Sequence, residues 1–143
     1  VGDTLPEYQK YLNELKIDIK KKGLNNKIKF LGFRKDINSI LYNSNFFVHT
    51  PISADPFPSV IFEAIENRTP VITNNLGGAF EILNNGRNGL IIKNDEIDNS
   101  ADEILKFIEN RELQKENVNK AFNYVCKNFS IENFEKKIIK KIG

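Results

Sequence analysis

Short apolar segments alternate with segments of helical periodicity, and this alternation limits the fold more than any other feature of the sequence. The strand-like segments lie at residues 46–48, 70–73 and 89–92. Each is followed by a loop and then by apolar residues that recur every three or four positions. Alternation of this kind predicts an α/β fold, a Rossmann-like parallel sheet with helices on both faces.

The regions before and after this alternating part extend the prediction. Residues 28–33 (IKFLGF) are typical of another short strand, and Val1-Gly2-Asp3 of a strand end. Between them we expect a helix over residues 8–19 that Gly23 closes in a left-handed conformation. Beyond residue 92 the chain is expected to form a helical tail with three apolar stripes. Their members are Ala101, Ile104, Leu105 and Ile108, then Val118, Ala121, Phe122 and Val125, and finally Ile131, Phe134, Ile138 and Ile142, with Ser130 as the cap of the last helix.

Composition limits the classes of function. The 143 residues suit a single domain, and a net charge of +2 is too small for a nucleic-acid-binding surface. The one cysteine, Cys126, excludes an internal disulfide and is expected to be buried among apolar neighbours. The lysines at positions 136, 137, 140 and 141 indicate a solvated helix face or, as the less favoured alternative, peripheral contact with an anionic membrane.

Three predicted strand-to-helix loops, at residues 32–36, 50–59 and 74–79, are expected to converge. Ligands of parallel sheets bind beyond the carboxyl ends of the strands, where such loops lie. In the second loop Asp55 precedes a helix that starts near Ser59 and carries Glu63. Free amides at a helix start can bind phosphate, and nearby acids can accept hydrogen bonds from sugar hydroxyls. Spacing alone leaves open that Ser59 simply caps the helix and that Glu63 complements its dipole.

Other residues of these loops have two interpretations each. Gly77 and Gly78 before a helix allow a backbone to approach a ligand closely, or form an ordinary turn. The backbone at Phe33 can border a nucleobase, and Arg34 can contact a phosphate or remain a surface residue. His49, the only histidine, receives no catalytic role because no orienting partner lies near it in sequence.

Taken together, these segments resemble glycosyltransferase family 4, a large retaining group with the two-domain GT-B fold. The matching motifs follow the family's order over nearly the whole chain. They are Gly2-Asp3, Leu31-Gly32-Phe33, Asp55-Pro56-Phe57-Pro58, Glu63-Ala64, Pro70-Val71-Ile72, Gly77-Gly78-Ala79-Phe80-Glu81, Asn85-Gly86-Arg87-Asn88-Gly89-Leu90 and Phe129-Ser130. The resemblance implies a single donor-binding domain over residues 1–143, the C-terminal half of a GT-B enzyme.

The resemblance also implies which residues bind a nucleotide-sugar. Donor-sugar contacts fall to Asp55, Phe57 and Pro58, and nucleotide contacts to Glu63, Ser59, Val60, Phe33, Arg34, Gly77 and Gly78. Glu63 corresponds to the acid that binds the ribose, and Asp55 to the acid that touches the sugar. The amides at Phe57, Ser59 and Val60 would meet the sugar and diphosphate, since Pro58 has no N–H. No residue is assigned a catalytic or metal-binding role.

Three departures from the family pattern matter. Asp55 replaces the more usual Glu, so its carboxylate reaches about one methylene less far. Arg68 occupies the usual glycine position before Thr69-Pro70, so the preceding helix is expected to end differently. The family's first strand–helix unit, with its diphosphate-clamping Gly-Arg and Lys, is missing, as is the N-terminal acceptor domain. We therefore expect a fragment of a longer enzyme, inactive alone.

The activity implied is transfer of a sugar from a UDP- or GDP-sugar to a glycan or lipid-linked saccharide, with retention of configuration and without a cofactor or metal. Family habits suggest bacterial polysaccharide or lipopolysaccharide biosynthesis, in the cytoplasm and at the inner face of the membrane. Two alternatives are less consistent with the sequence. A sugar-nucleotide epimerase of GT-B type is disfavoured by the spacing of Asp55 and Glu63, and a non-catalytic flavodoxin-like or receiver-like module by the missing acidic cluster.

Overall fold

A computed structural model describes residues 1–2 and 6–142 of the chain. The contacts divide the chain into two compact units, Val1–Ile37 and Asn38–Gly143. The larger unit carries the sheet and most of the helices, and the smaller unit is built around one long helix.

The smaller unit contains a 3₁₀ turn at Pro6–Tyr8 and helix α1 at Gln9–Lys21. Gly23 follows α1 in the left-handed conformation, with φ of 67°, and its N–H donates to the Lys20 carbonyl at 3.1 Å. The Leu24 N–H donates to the Ile19 carbonyl at 2.9 Å. These two bonds form a Schellman motif, which confirms the predicted glycine cap.

The two strands predicted in this unit are wrong for the residues that the structure describes. Residues 28–33 and Val1-Gly2 have no strand assignment, and Asp3 lies outside the described residues. One hydrogen bond links the segments, from the Gly2 N–H to the Gly32 carbonyl at 2.8 Å. A strand requires a repeated ladder of such bonds, so apolar composition alone does not produce one here.

The larger unit contains a parallel sheet of three strands, β1 (Phe47–His49), β2 (Val71–Asn74) and β3 (Leu90–Ile92). The strand order is β1-β2-β3, with Phe47 opposite Val71 and Ile72 opposite Leu90. The α/β architecture is therefore confirmed. Every residue of β2 is buried, whereas Val48 of β1 is 56% exposed, because β1 is an edge strand among the described residues. A continuous apolar run such as residues 46–48 is typical of a strand that is buried on both faces, and the exposure of Val48 departs from that pattern.

Six helices surround or follow these strands, close to their predicted positions. They are α2 (Ile37–Tyr42), α3 (Ser59–Glu66), α4 (Ala79–Ile82), α5 (Ile97–Glu109), α6 (Arg111–Asn128) and α7 (Ile131–Ile142). The centre of the unit is formed by side chains from α3, β2 and α4, which are less than 2% exposed. These include Ile61, Ile72 and Ile82. Helices α3 and α4 therefore start from loops that are fixed on a rigid core.

The apolar stripe predicted for α5 is wrong for most of its members. Ala101, Leu105 and Ile108 are exposed, and the buried residues are Ser100 and Phe107. Phe107 packs against Ile72 and Ile92, and the Ser100 hydroxyl donates to the Lys93 carbonyl at 2.9 Å. Helix α5 is thus oriented with Phe107 facing the core. The Ser100 hydroxyl can be buried beside it because the hydroxyl has a hydrogen-bond acceptor.

The burial predicted for α6 is partly confirmed, and the cap predicted for α7 is confirmed. On α6, Ala121 is buried and Phe122 and Val125 are half-buried as predicted, but Cys126 is exposed, so its predicted burial is wrong. The Ser130 hydroxyl accepts from the Asn133 N–H at 3.3 Å and caps α7 as predicted. The predicted α7 contacts of Phe134, Ile138 and Ile142, and the lysines 137 and 141, lie outside the described side chains. No described helix is long and apolar enough to cross a membrane.

Candidate functional site

The loops that follow the three strands are joined by one buried side chain, Asn74 at the end of β2. Its amide Nδ2 donates to the Pro51 carbonyl at 2.8 Å and to Asn94 Oδ1 at 3.0 Å, and its Oδ1 accepts from the Leu76 N–H at 3.3 Å. Asn74 is fully buried. The predicted convergence of loops 50–59 and 74–79 is thus confirmed. Sequence reasoning missed Asn74, because a single asparagine at a strand end does not show which loops it joins.

The glycine pair lies directly against the loop that carries Asp55. The Gly78 N–H donates to the Asp55 carbonyl at 2.8 Å. A Cβ on Gly77 would lie 2.8 Å from the Asp55 amide nitrogen, and one on Gly78 would lie 2.8 Å from the Pro56 carbonyl carbon. Real Cβ atoms do not approach backbone so closely, so glycine is required at both positions. The two glycines therefore fix the conformation of the Asp55 loop.

Asp55 itself forms a local turn. Its Oδ1 accepts from the Phe57 N–H at 2.9 Å, an arrangement typical of aspartate in turns. Asp55 is exposed, and the bond leaves Oδ2 without an assigned donor among the described residues. The Phe57 amide, predicted to contact the sugar, is thus already bonded to Asp55, whereas the Phe57 ring is 58% exposed.

The start of α3 has the properties of an anion-binding site. Its N-cap is Pro58, which is buried and offers no side-chain hydrogen bond. Ser59 is the first helical residue, so the alternative that Ser59 caps the helix is wrong. The Ile61 N–H donates to the Pro58 carbonyl at 3.2 Å, and no acceptor is assigned to the Ser59 and Val60 amides within the described chain. The helix dipole adds positive potential at this point.

Glu63 lies on α3 one turn beyond these amides and is half-buried. Its backbone carbonyl accepts from the Asn67 side chain at 2.9 Å, while no hydrogen bond or ion pair engages its carboxylate among the residues described. A half-buried carboxylate without a partner is able to accept two hydrogen bonds from a diol. The structure thus gathers eight predicted site residues around two loops, namely Asp55, Phe57, Pro58, Ser59, Val60, Glu63, Gly77 and Gly78.

His49 ends β1 close to the same loops. Its Nε2 atom is buried and has no hydrogen-bond partner among the described residues. Burial lowers the pKa of His49 below its ordinary value, and the negative charge of Asp55 opposes this shift. Burial therefore disfavours the charged form of the imidazole, which lies next to the Asp55 loop.

Phe33 and Arg34 belong to the smaller unit. Phe33 is 70% exposed. The Arg34 guanidinium donates to the Asp36 carboxylate at 2.7 Å and 2.5 Å. This pair raises the pKa of Arg34 and lowers the pKa of Asp36, in both cases mainly through the hydrogen bonds. A phosphate that binds the Arg34 guanidinium would have to displace the Asp36 carboxylate. The predicted nucleotide contact is therefore more readily made by the backbone at Phe33 and Arg34 than by the Arg34 side chain.

Helix α3 ends in the way that it would with glycine at position 68. The expectation that Arg68 would make the helix end differently is therefore wrong. Arg68 adopts the left-handed conformation with φ of 58°. Its N–H donates to the Ile65 carbonyl at 3.1 Å, and the Thr69 N–H donates to the Ala64 carbonyl at 2.9 Å. These bonds form the Schellman motif, in which glycine usually occupies the position of Arg68. The Arg68 side chain stacks on Phe122, with its guanidinium carbon 3.5 Å from the ring centroid.

Metal-ligating side chains do not cluster in the described part of the chain. No group of three or more His, Cys, Asp or Glu side chains in that part is arranged to hold a metal ion.

Comparison with known sequences identifies the family. The sequence profile of the family described as "Glycosyl transferases group 1" matches residues 1–124, and the chain belongs to this family. The chain is 30% identical over 118 residues to the uncharacterized glycosyltransferase MJ1607 of Methanocaldococcus jannaschii, covering 82% of the chain and 30% of that protein.

Solved structures agree with this assignment. The Anabaena protein Alr3699/HepE, crystallised in complex with UDP and glucose, matches with a TM-score of 0.86 and 31% identity over 99% of the chain and 38% of that protein. The C-terminal domain of the group 1 protein LpcC from Francisella tularensis matches in fold, with a TM-score of 0.75 and 21% identity over 92% of the chain and 68% of that domain. The chain thus spans less than two fifths of Alr3699/HepE and of MJ1607.

Proposed function

We propose that this domain binds the nucleotide diphosphate and sugar of a UDP- or GDP-sugar donor in a retaining glycosyltransferase of family 4. The observation that carries the proposal is the uncapped start of α3. There the Ser59 and Val60 amides have no acceptor among the described residues, and they lie in sequence between Asp55 and Glu63. A diphosphate supplies the missing acceptors, and acids on either side suit the hydroxyls of the two sugars that flank it.

The residues around the start of α3 then have the following roles in binding the donor. The Ser59 and Val60 amides bind the diphosphate, and the carboxylate of Glu63 accepts from the ribose hydroxyls. Oδ2 of Asp55, which has no assigned donor among the described residues, faces the donor sugar in a loop held by Gly77 and Gly78. Phe57 and Pro58 fix the backbone between sugar and phosphate, and the backbone at Phe33 and Arg34 borders the base.

Transfer with retention in such a site depends on positioning the donor and on stabilising the departing diphosphate. The fixed amides and dipole of α3 provide negative-charge stabilisation without a metal or cofactor. UDP is the favoured nucleotide, because the similar Anabaena protein has been crystallised with UDP and with UDP-glucose. A sugar-nucleotide epimerase would bind the same donor and is distinguished by its product.

We propose that the complete enzyme contains further parts. They are the family's first strand–helix unit and an N-terminal domain that binds a glycan or lipid-linked acceptor. The edge of β1 carries no ladder partner among the described residues and is suited to receive another parallel strand. We place the enzyme in the cytoplasm at the inner membrane face, in bacterial polysaccharide or lipopolysaccharide synthesis, with the lysines near the C-terminus as a peripheral contact.

Calorimetric titration of the chain with UDP, GDP and ADP tests the proposal. We expect saturable binding of one nucleotide and a loss of about tenfold or more in affinity for Glu63→Ala, because a charged acceptor is removed from two hydroxyls. Glu66→Ala is the matched control, since Glu66 is an exposed acid on the same helix. Equal affinity in both variants, or no binding of any nucleotide, would contradict the proposed role.

A further inference from the structure

Four aromatic side chains from three segments of the larger unit pack together beside the candidate donor site. Phe57 belongs to the Asp55 loop, Phe62 to α3, and Tyr124 and Phe129 to α6 and its C-cap. The ring centroids of Phe57 and Phe62 lie 4.9 Å apart. We refer to these four rings as the aromatic cluster. The cluster joins the loop that carries Asp55 to two helices.

Phe129 contacts each of the other rings in the cluster. Its centroid lies 6.2 Å from that of Phe57, 5.3 Å from that of Phe62 and 6.1 Å from that of Tyr124. The pairs with Phe62 and Tyr124 are edge to face, which is a favourable geometry for aromatic rings. Removal of the Phe129 ring would leave Phe57 with Phe62 as its aromatic neighbour among the described residues.

The position of Phe129 is set by the junction of α6 and α7. Phe129 is the C-cap of α6, and its N–H donates to the Val125 carbonyl at 2.9 Å. The next residue, Ser130, caps α7 through its hydroxyl, which accepts from the Asn133 N–H at 3.3 Å. Hydrogen bonds at the two helix ends thus fix the backbone on both sides of the ring. A ring anchored in this way is able to restrain the exposed side chain of Phe57.

Phe57 passes this restraint on to Asp55. The Phe57 N–H donates to Asp55 Oδ1 at 2.9 Å, while the Phe57 ring is 58% exposed. Gly77 and Gly78 restrain the same loop at the backbone of Asp55 and Pro56. The aromatic cluster restrains it one residue further on, at Phe57. The direction of the Asp55 carboxylate therefore depends on both sets of contacts.

We infer that Phe129 is a positioning residue for the donor sugar. By packing on Phe57, it holds the Phe57 N–H where that group can bond to Asp55, and it thereby sets the direction of the carboxylate that meets the sugar. The inference rests on the proposed function, because it concerns the same donor site. The amides at the start of α3 do not depend on the bond between Phe57 and Asp55, so the effect of Phe129 is confined to the sugar.

The first measurement is the exchange of the Phe57 amide proton with solvent, followed by NMR on the ¹⁵N-labelled chain without ligand. Phe129→Leu keeps an apolar side chain but removes the ring, and we expect it to accelerate this exchange about fivefold, as the loss of one aromatic pair would. Phe129→Tyr should restore slow exchange, since Phe129 lines a cavity of about 450 Å³ that leaves room for a hydroxyl. Phe122→Leu is the matched control, because Phe122 is a half-buried ring on α6 that stacks with Arg68 instead.

The second measurement is calorimetric titration with UDP and, separately, with UDP-glucose, which the similar Anabaena protein was crystallised with. We expect Phe129→Leu to weaken UDP-glucose binding about fivefold and to change UDP binding by less than about twofold. Phe129→Tyr and Phe122→Leu should keep the ratio of the two affinities found for the unaltered chain. A general loss of structure would weaken both ligands together, so the ratio distinguishes positioning of the sugar from a purely structural role.

Two results would overturn the inference. They are unchanged exchange of the Phe57 amide in Phe129→Leu and an unchanged ratio of the UDP-glucose and UDP affinities. If Phe129→Leu does not fold, Tyr124→Leu takes its place, because it removes a ring that packs on Phe129, and the same two results decide. Failure of the unaltered chain to bind UDP would contradict the proposed function itself, whereas UDP binding with an unchanged ratio removes only the role of Phe129.

Discussion

The Gly78 N–H donates a 2.8 Å hydrogen bond to the carbonyl of Asp55, and this bond joins the two loops that form the candidate donor site. Asp55 and Gly78 belong to different strand-to-helix loops that are distant in sequence, yet their backbones are in contact. The geometry of the Asp55 carboxylate therefore depends on residues of a different strand-to-helix loop.

Gly77→Ala should destabilise the larger unit by about 3 kcal/mol, because the new Cβ meets the Asp55 backbone and φ is 78°. Gly86→Ala is the matched control, with the same φ of 78° but an Ile91 side chain as its nearest neighbour. That side chain can move, so we expect a cost of about 1 kcal/mol there. Urea denaturation measures both, and equal costs would show that backbone approach at Gly77 is unimportant.

Asn74→Ala should cost about 2–3 kcal/mol, since it leaves the Pro51 carbonyl, the Asn94 side chain and the Leu76 amide without their partner. Asn75→Ala should change stability by a few tenths of a kcal/mol, because Asn75 is the exposed neighbour. Chemical denaturation of the two variants checks this difference. A small effect of Asn74→Ala would mean that the three loops do not depend on it.

His49 should titrate below its ordinary pKa of 6.5, because burial disfavours the charged imidazole. The unfolded chain then binds a proton at higher pH than the folded chain. Stability from this group is present above about pH 6.5 and is lost as the pH falls toward the folded-state pKa. Because the sequence has one histidine, NMR follows its imidazole directly. A midpoint above 6.5, or the same pH dependence of stability in His49→Gln, would contradict this account.

Arg68 combines a strained backbone with a favourable side-chain contact, and two substitutions separate them. Arg68→Ala keeps the left-handed φ but loses the stacking on Phe122, so it should be destabilising. Arg68→Gly loses the same contact but removes the strain, and it should be about 1 kcal/mol more stable than Arg68→Ala. Thermal denaturation compares the two. A glycine variant no more stable than the alanine variant would contradict the strain at this position.

The alternation of strands and helices was predictable because each segment of the larger unit has its own periodicity. The convergence of two loops followed from parallel topology alone. The strand predicted at residues 28–33 failed because a strand is defined by its ladder, which the segment's own sequence does not determine. The orientation of α5 was missed for a similar reason, since Ser100 is buried only because Lys93 offers it a carbonyl.

The candidate site was predictable in its residue types but not in its contacts. Spacing placed Asp55 and Glu63 near a helix start, yet it left open whether Ser59 capped that helix. The structure decides this, because Pro58 occupies the cap position. The sequence likewise indicated close backbone approach at Gly77 and Gly78, without showing that the neighbouring backbone is that of the Asp55 loop.

The central claim is that the first amides of α3 bind a diphosphate, and NMR titration of the ¹⁵N-labelled chain with UDP tests it most directly. We predict that the Ser59 and Val60 amide signals move downfield and saturate together, because phosphate oxygens become the acceptors that these amides lack within the described part of the chain. Saturable binding that leaves both signals unmoved would contradict the claim, as would no response of any residue to UDP.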